Sequence, residues 1–277
     1  MAIIEHIYPL YTNFEQYIIM LSMRAMGLTA SMGLLLAGSA SAETSPMDTS
    51  DNVAISFWIA TAMMLASTIF FLVERSNVAP KWRTSVTVAA LVTGVAWYHY
   101  TYMRDHWVAT GESPLVLRYV DWLITVPLQV VEFYLILAAI GVASAMLFWR
   151  LLGASIVMLA FGFFGESGAM DATIAWAIGM AAWLYIIYEI WAGDAKKAAQ
   201  DATEGVQFAF TWMTYILTFG WAIYPIGYLY GMDADADGQN MLNIVYNIAD
   251  VVNKTAFGLM VWYAATLDTA AESKSAE

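Results

Sequence analysis

The chain contains no cysteine, which excludes a disulfide scaffold, a thiolate metal site and a cysteine nucleophile. It is also poor in charge. Only 12% of its 277 residues are Asp, Glu, Lys or Arg, about half of the roughly 25% usual in soluble domains. Basic residues are scarcer still: 11 Lys and Arg are too few and too scattered for the phosphate-tracking patch that nucleic-acid binding requires, so no nucleic-acid partner is expected. The net charge of −12 gathers in termini and loops, where acids serve solvation. What the chain has in excess is apolar: 61% hydrophobic residues with 12 Trp and 16 Tyr, and a mean hydropathy of +0.61. That excludes a disordered chain and a water-soluble globule, and points to an integral membrane protein.

A hydrocarbon layer about 30 Å thick needs roughly 20 apolar residues per helix. Seven stretches qualify, at about 53–74, 85–103, 115–138, 141–164, 172–192, 206–230 and 241–266. The connectors carry the polar punctuation (VERSNVAPKWR, RDHWVATGESP, GESGAMD, AGDAKKAAQDATEG and MDADADGQN), and none is long enough for a second domain. No repeat is apparent. The expectation is an all-α membrane protein, one seven-helix bundle over 53–267, followed by a polar tail over 268–277.

Orientation follows from the positive charges, which favour the cytoplasmic side. Arg75, Lys81, Arg83, Arg150, Lys196, Lys197 and Lys274 fall in one set of loops and the tail, and Arg104 alone falls in the other. The C-terminus is therefore expected to be cytoplasmic and the chain before the first span outside. From Met20 the sequence reads MLSMRAMGLTASMGLLLAGSASAE: one Arg, a short apolar core, then Ala40-Ser41-Ala42. These are the three parts of a cleavable signal peptide over 20–42; an uncleaved anchor helix is the alternative, for which the apolar core is short. Residues 1–19 fit no part of a signal and are left unexplained.

Ionisable groups inside a membrane are costly, so each is a functional candidate. Six stand inside the expected spans: His99, Arg118, Asp121, Glu132, Asp250 and Lys254. Glu74 and Glu189 lie near span ends, where solvation is expected. Lys254 lies mid-helix, where snorkelling to water is difficult. Asp250 is one turn before it on the same face, so position alone leaves two readings: a structural ion pair, or a desolvated lysine that forms a Schiff base with a carbonyl cofactor, with Asp250 as counterion. In the third span Asp121 and Glu132 are 11 residues apart. They lie within about 20° of one face and about 16 Å apart along the axis. Arg118 and Thr125 flank Asp121 on that face. Glu132 has no basic residue in its own helix and is expected to rest neutral, and a neutral carboxyl beyond an ionised one is what a directional proton relay requires. Pro127 frees a backbone carbonyl beside this stripe. Mid-span aromatics, Trp122, Trp176, Trp183, Trp221, Tyr224 and Tyr228, could line a slot for a long, flat, apolar ligand.

The run Arg118-Tyr119-Val120-Asp121-Trp122-Leu123-Ile124-Thr125-Val126-Pro127 resembles the RY-x-DW-xx-T-x-P signature of microbial rhodopsins. Phe219-Gly220-Trp221-Ala222-Ile223-Tyr224-Pro225 and Asp250-Val251-Val252-Asn253-Lys254 match the same family in one register from about Val53 to Ala265. Glu132-Phe133-Tyr134-Leu135 and Trp97-Tyr98-His99-Tyr100 resemble the proteorhodopsin branch. The resemblance implies all-trans retinal bound to Lys254 as a protonated Schiff base. It makes Asp121 the counterion and proton acceptor, Asp250 the second counterion, Arg118 the cation stabilising both, Thr125 a support for Asp121 and Glu132 the cytoplasmic proton donor. His99 would hydrogen-bond the acceptor. Tyr119, Trp122, Trp221, Tyr224 and Tyr228 would surround the polyene, Tyr228 standing where many relatives carry Trp.

Gln129 stands where the branch separates green absorbers, with Leu, from blue absorbers, with Gln; a polar amide favouring the ground-state charge distribution implies blue absorption. Leu242 replaces the release-group glutamate of relatives, so early outward proton release is not expected. Trp176 stands where antenna-binding relatives keep a glycine, so no carotenoid partner is expected. Trp58 matches a tryptophan that reaches the neighbouring protomer's histidine, implying a pentamer or hexamer. The reading is a light-driven outward proton pump, a transporter rather than an enzyme, in the bilayer of a bacterial inner membrane. A photosensory receptor signalling to a membrane partner is the alternative, which Glu132 disfavours because a sensor has no need of fast reprotonation.

Overall fold

The computed structural model describes residues 48–275; the expected signal peptide and the segment 1–19 lie outside the described residues. In hydrocarbon no water satisfies the backbone, so an apolar segment closes its N–H and C=O groups within a helix. The regular elements among the described residues are all helical: α1 (Asn52–Glu74), α2 (Arg83–Thr110), α3 (Leu115–Ala138), α4 (Ala145–Glu166), α5 (Ala172–Trp191), a short α6 (Asp194–Gln200), α7 (Glu204–Tyr215), α8 (Ile223–Gly231) and α9 (Ala236–Ser275). A π-helical turn over Ile216–Gly220 joins α7 to α8 into the sixth span. Short polar side chains set the starts. Asp51, Ser144 and Asp171 accept the N–H groups of Ala54, Leu147 and Ile174, each satisfying a donor that a helix N-terminus leaves open.

Five of the seven spans are long and apolar enough to cross a membrane by length and composition. The other two, α2 and α9, are long but more polar. They are the helices that carry His99 and Arg104 in one case, and Asn243, Asn247, Asp250, Asn253 and Lys254 in the other. Neighbours pack largely in chain order, α1 on α2, α2 on α3, α3 on α4 and α4 on α5, while α9 closes the bundle against α1, α2 and α7.

The structure moves several expected boundaries. The second span continues past residue 103 to Thr110. Trp107 is buried there, and its indole donates to the Asp51 carboxylate at 3.0 Å. These seven further residues, about two turns, take Arg104 out of the loop and into the helix, its guanidinium 4.2 Å from the centre of the exposed Trp58 ring. The helix stops where Gly111 turns left-handed at φ 68°, a conformation that costs glycine nothing. The fourth span starts and ends later than expected, which draws Glu166 out of the connector into α4. The seventh runs on through most of the expected tail to Ser275. There Asp268 accepts the Trp82 indole at 2.8 Å and pairs with Lys81 at 2.6 Å. Burial works against the Lys81 charge, but Asp268 and Glu272 outweigh it and hold the lysine above its ordinary pKa.

Glu189 is a clear correction. It is not solvated at an interface but buried, accepting Arg150 Nη1 and the Tyr185 hydroxyl, both at 3.0 Å, and the Asp194 N–H at 3.1 Å. The carboxylate thereby ties α4 and α5 to the start of α6, with hydrogen bonds replacing the water it lost.

Candidate functional site

Along α9, Asn243, Asn247, Asp250 and Lys254 recur every three or four residues and so form one polar stripe facing the bundle interior. Along α3, Arg118, Asp121, Thr125, Gln129 and Glu132 do the same. The two stripes meet at Lys254. Its Nζ, 3% exposed with its side chain, donates to Asp250 Oδ2 at 2.6 Å and to Asp121 Oδ2 at 3.0 Å. The two carboxylates, Lys254 and Arg118 sum to zero formal charge, which is what makes four buried charges tolerable together.

The two aspartates are held differently. Asp250 accepts the hydroxyls of Tyr224 at 2.6 Å and Tyr100 at 2.8 Å, and the Trp122 indole at 3.3 Å, besides Lys254. Asp121, fully buried, accepts Lys254 on one oxygen, and its Oδ1 has no hydrogen-bond partner among the described residues. His99 Nδ1 stands 3.6 Å from that oxygen and 3.0 Å from the Val95 carbonyl. Thr125 donates to the Asp121 backbone carbonyl at 3.0 Å rather than to its carboxylate. It fixes the turn that carries the acid.

Arg118 departs from the expected contact. Its Nη2 donates to the side-chain oxygens of Asn243 at 2.9 Å and Asn247 at 3.0 Å, and it makes no ion pair with either aspartate among the described residues. Asn247 is in turn fixed by donating to Ser56 at 2.8 Å. Neutral amides thus hold the guanidinium, and its Nε and Nη1 have no partner among the described residues. Glu132 lies 11 residues beyond Asp121 on α3, 1% exposed, with both oxygens unpartnered among the described residues. Its stretch of helix is set in apolar packing, with Phe133 against Phe210 and Phe257.

Lys254 and Asp250 line a cavity of about 830 Å³ including its mouth, within the range of pockets that enclose a small ligand. Its walls are Tyr119, Trp122, Trp221, Tyr224 and Tyr228, together with Trp176, Trp183 and Gln129. Gln129 donates to the Asn253 carbonyl at 3.2 Å, beside the lysine. Gly162 lets the Tyr119 hydroxyl pack close against α4, since a Cβ there would meet it at 3.0 Å. A buried amine in the wall of a largely apolar cavity, beside a carboxylate oxygen with no partner among the described residues, fits an apolar carbonyl cofactor such as retinal held through Lys254. No cluster of His and acids that could hold a metal occurs among the described residues.

Sequence reasoning missed Tyr100, Asn243, Asn247, Tyr246 and Glu166. The asparagines were legible as the continuation of the Asp250–Lys254 stripe. Glu166 follows Met158 and Gly162 at four-residue spacing, and all three line the cavity. Tyr100 has no signal beyond its adjacency to His99.

The profile of the family described as bacteriorhodopsin-like protein matches residues 51–267. The chain is 53% identical over 224 residues to the green-light absorbing proteorhodopsin of Gamma-proteobacterium EBAC31A08, covering 80% of this chain and 90% of the relative. It is 50% identical over 244 residues to the blue-light absorbing proteorhodopsin of Gamma-proteobacterium Hot 75m4, covering 85% and 97%. The crystal structure of blue light-absorbing proteorhodopsin from Med12 shares 56% identity and superposes with a TM-score of 0.67, covering 79% of this chain and all of that one. The chain therefore belongs to the bacteriorhodopsin-like family, the seven-helix microbial rhodopsins whose chromophore is retinal.

Proposed function

We propose that this chain is a light-driven outward proton pump that carries all-trans retinal on Lys254. When bound, retinal supplies the light-driven isomerisation that changes the position and proton affinity of the Lys254 nitrogen. The residues do the rest. Asp121, 3.0 Å from Nζ with one oxygen unpartnered among the described residues, accepts the proton. Asp250, held by two tyrosines and an indole, stays ionised and balances charge. Glu132 holds a proton in its apolar setting, gives it to the Lys254 nitrogen and regains one from the cytoplasm. The apolar packing along its stretch of α3 excludes water and so blocks backflow.

The observation that carries this reading is the pairing of an acid hydrogen-bonded to Lys254 with a fully buried acid, 11 residues further along the same helix, that has no partner among the described residues. Such a pair gives the relay its direction.

Gln129, lining the cavity beside Lys254, supports blue absorption. The charge asymmetry of the loops supports an outside N-terminus and a cytoplasmic C-terminus in a bacterial inner membrane, reached by way of the signal peptide. Trp58, exposed on the outer face of α1, supports a pentamer or hexamer, and Trp176 in the cavity wall leaves a carotenoid antenna out of the reading.

The test is the light-induced pH change outside intact cells expressing the chain with added retinal. Acidification abolished by a protonophore is the expected result. A visible pigment band with no pH change would overturn the pump and favour the photosensory reading.

A further inference from the structure

Glu166 is the last residue of α4 and lines the cavity, yet the relay above does not use it. Its place does not explain it as a structural residue. A helix C-terminus carries the negative end of the dipole, which disfavours an acid, and no Lys or Arg pairs with it among the described residues. It shares the cavity wall with Tyr119 of α3, the residue after Arg118. Tyr246 of α9 and Tyr228 of α8 line the same cavity, the Tyr228 hydroxyl donating to the Ala172 carbonyl at the start of α5 at 2.9 Å.

Arg118 is the group that connects Glu166 to the relay. It is held by neutral asparagines, its Nε and Nη1 have no partner among the described residues, and it directly precedes Tyr119, which lines the cavity with Glu166. Once Asp121 takes a proton, one negative charge inside the bundle is gone, so the potential at Glu166 becomes less negative and an anion there is favoured.

Resting on the outward-pump reading, we propose that Glu166 is the group that hands the transported proton to the outer medium. Its O–H bond breaks, the proton leaves outward, and Arg118 and Tyr119 hold the carboxylate. When Asp121 later loses its proton, that proton restores Glu166, so one proton leaves per turnover and nothing is oxidised or reduced. A dedicated acid thus stands on the exit side although Leu242 occupies the position where relatives carry theirs.

The experiment uses the full chain, loaded with retinal in vesicles, with a pH-indicating dye outside and infrared difference spectroscopy of carboxyl stretching. In Glu166→Gln the appearance of protons outside is expected to be delayed about tenfold or more, and one carboxyl band change disappears. The early absorbance change that reports proton transfer to Asp121 keeps its timing. Glu166→Asp restores both release and band, which a merely structural role would not produce. Unaltered release and an unaltered set of carboxyl bands in Glu166→Gln would overturn the assignment. Should that variant fail to bind retinal, Tyr119→Phe serves: delayed release supports the proposal and wild-type timing overturns it. Failure of the pump reading is distinguishable, because then the wild-type chain itself produces no external acidification.

Discussion

Between Lys254 and the Arg118 end of the bundle, nearly every polar side chain is tied to another: Asp250 to two tyrosines, an indole and the lysine, Arg118 to two asparagines, and Asn247 to Ser56. On the other side of Lys254, Glu132 has no hydrogen-bond partner among the described residues and its stretch of helix is packed with phenylalanines. One half keeps charges by giving them hydrogen-bond partners. The other keeps a proton by withholding them. The physical lesson is that the same residue type, a buried carboxyl, takes opposite protonation roles according to whether its lone pairs are satisfied.

Breaking each half should produce different failures. The largest effect is expected from Asp121→Asn, which leaves Lys254 without a proton acceptor. Light-driven acidification should fall by about 10²-fold or more while a visible pigment band persists, as a paired pH and absorbance measurement checks. Glu132→Gln should leave the first transfer intact and slow reprotonation by about 10²-fold at neutral pH, seen in flash absorbance as a long-lived intermediate.

Stability should separate the halves in sign. Asp250→Ala removes one partner of a buried charge cluster and should cost about 3–5 kcal/mol. Glu132→Leu replaces an unpartnered buried acid with an apolar side chain and should be neutral or stabilising by about 1–3 kcal/mol. Thermal loss of the pigment, measured on both variants, checks this opposition. The smallest effect is expected from Gln129→Leu, which gives up one hydrogen bond worth about 1 kcal/mol and should move the visible maximum to longer wavelength. An unmoved maximum would remove Gln129 from colour tuning.

Much of this contrast was legible in the sequence. A charge in the middle of an apolar run stands out on composition alone, and helical periodicity places Asp121 and Glu132 on one face without reference to any other helix. Arg118 shows where that reasoning stopped. An arginine three residues before an aspartate suggests an ion pair, but the guanidinium sits against the asparagines of α9, because its reach is set by how deep α9 lies beside α3. Glu189 is a second case. It reads as interfacial until Arg150 of α4 and the N–H of Asp194 are brought to it. Glu166 escaped because a boundary two residues short left it in a connector.

The sequence by itself determined the membrane class, the seven spans and the positions of Lys254, Asp121, Glu132 and Asp250 along them. Apolar length and helical period are local properties, written in consecutive residues. Only the tertiary structure decided that Asp121 and Asp250 share one lysine across 133 and 4 residues of chain. It alone set two asparagines, not an acid, against Arg118, inserted a π turn into the sixth span and brought Glu166 to the cavity wall. These depend on the rotation and depth of one helix against its neighbours, which the packing of the whole bundle sets and no single segment encodes.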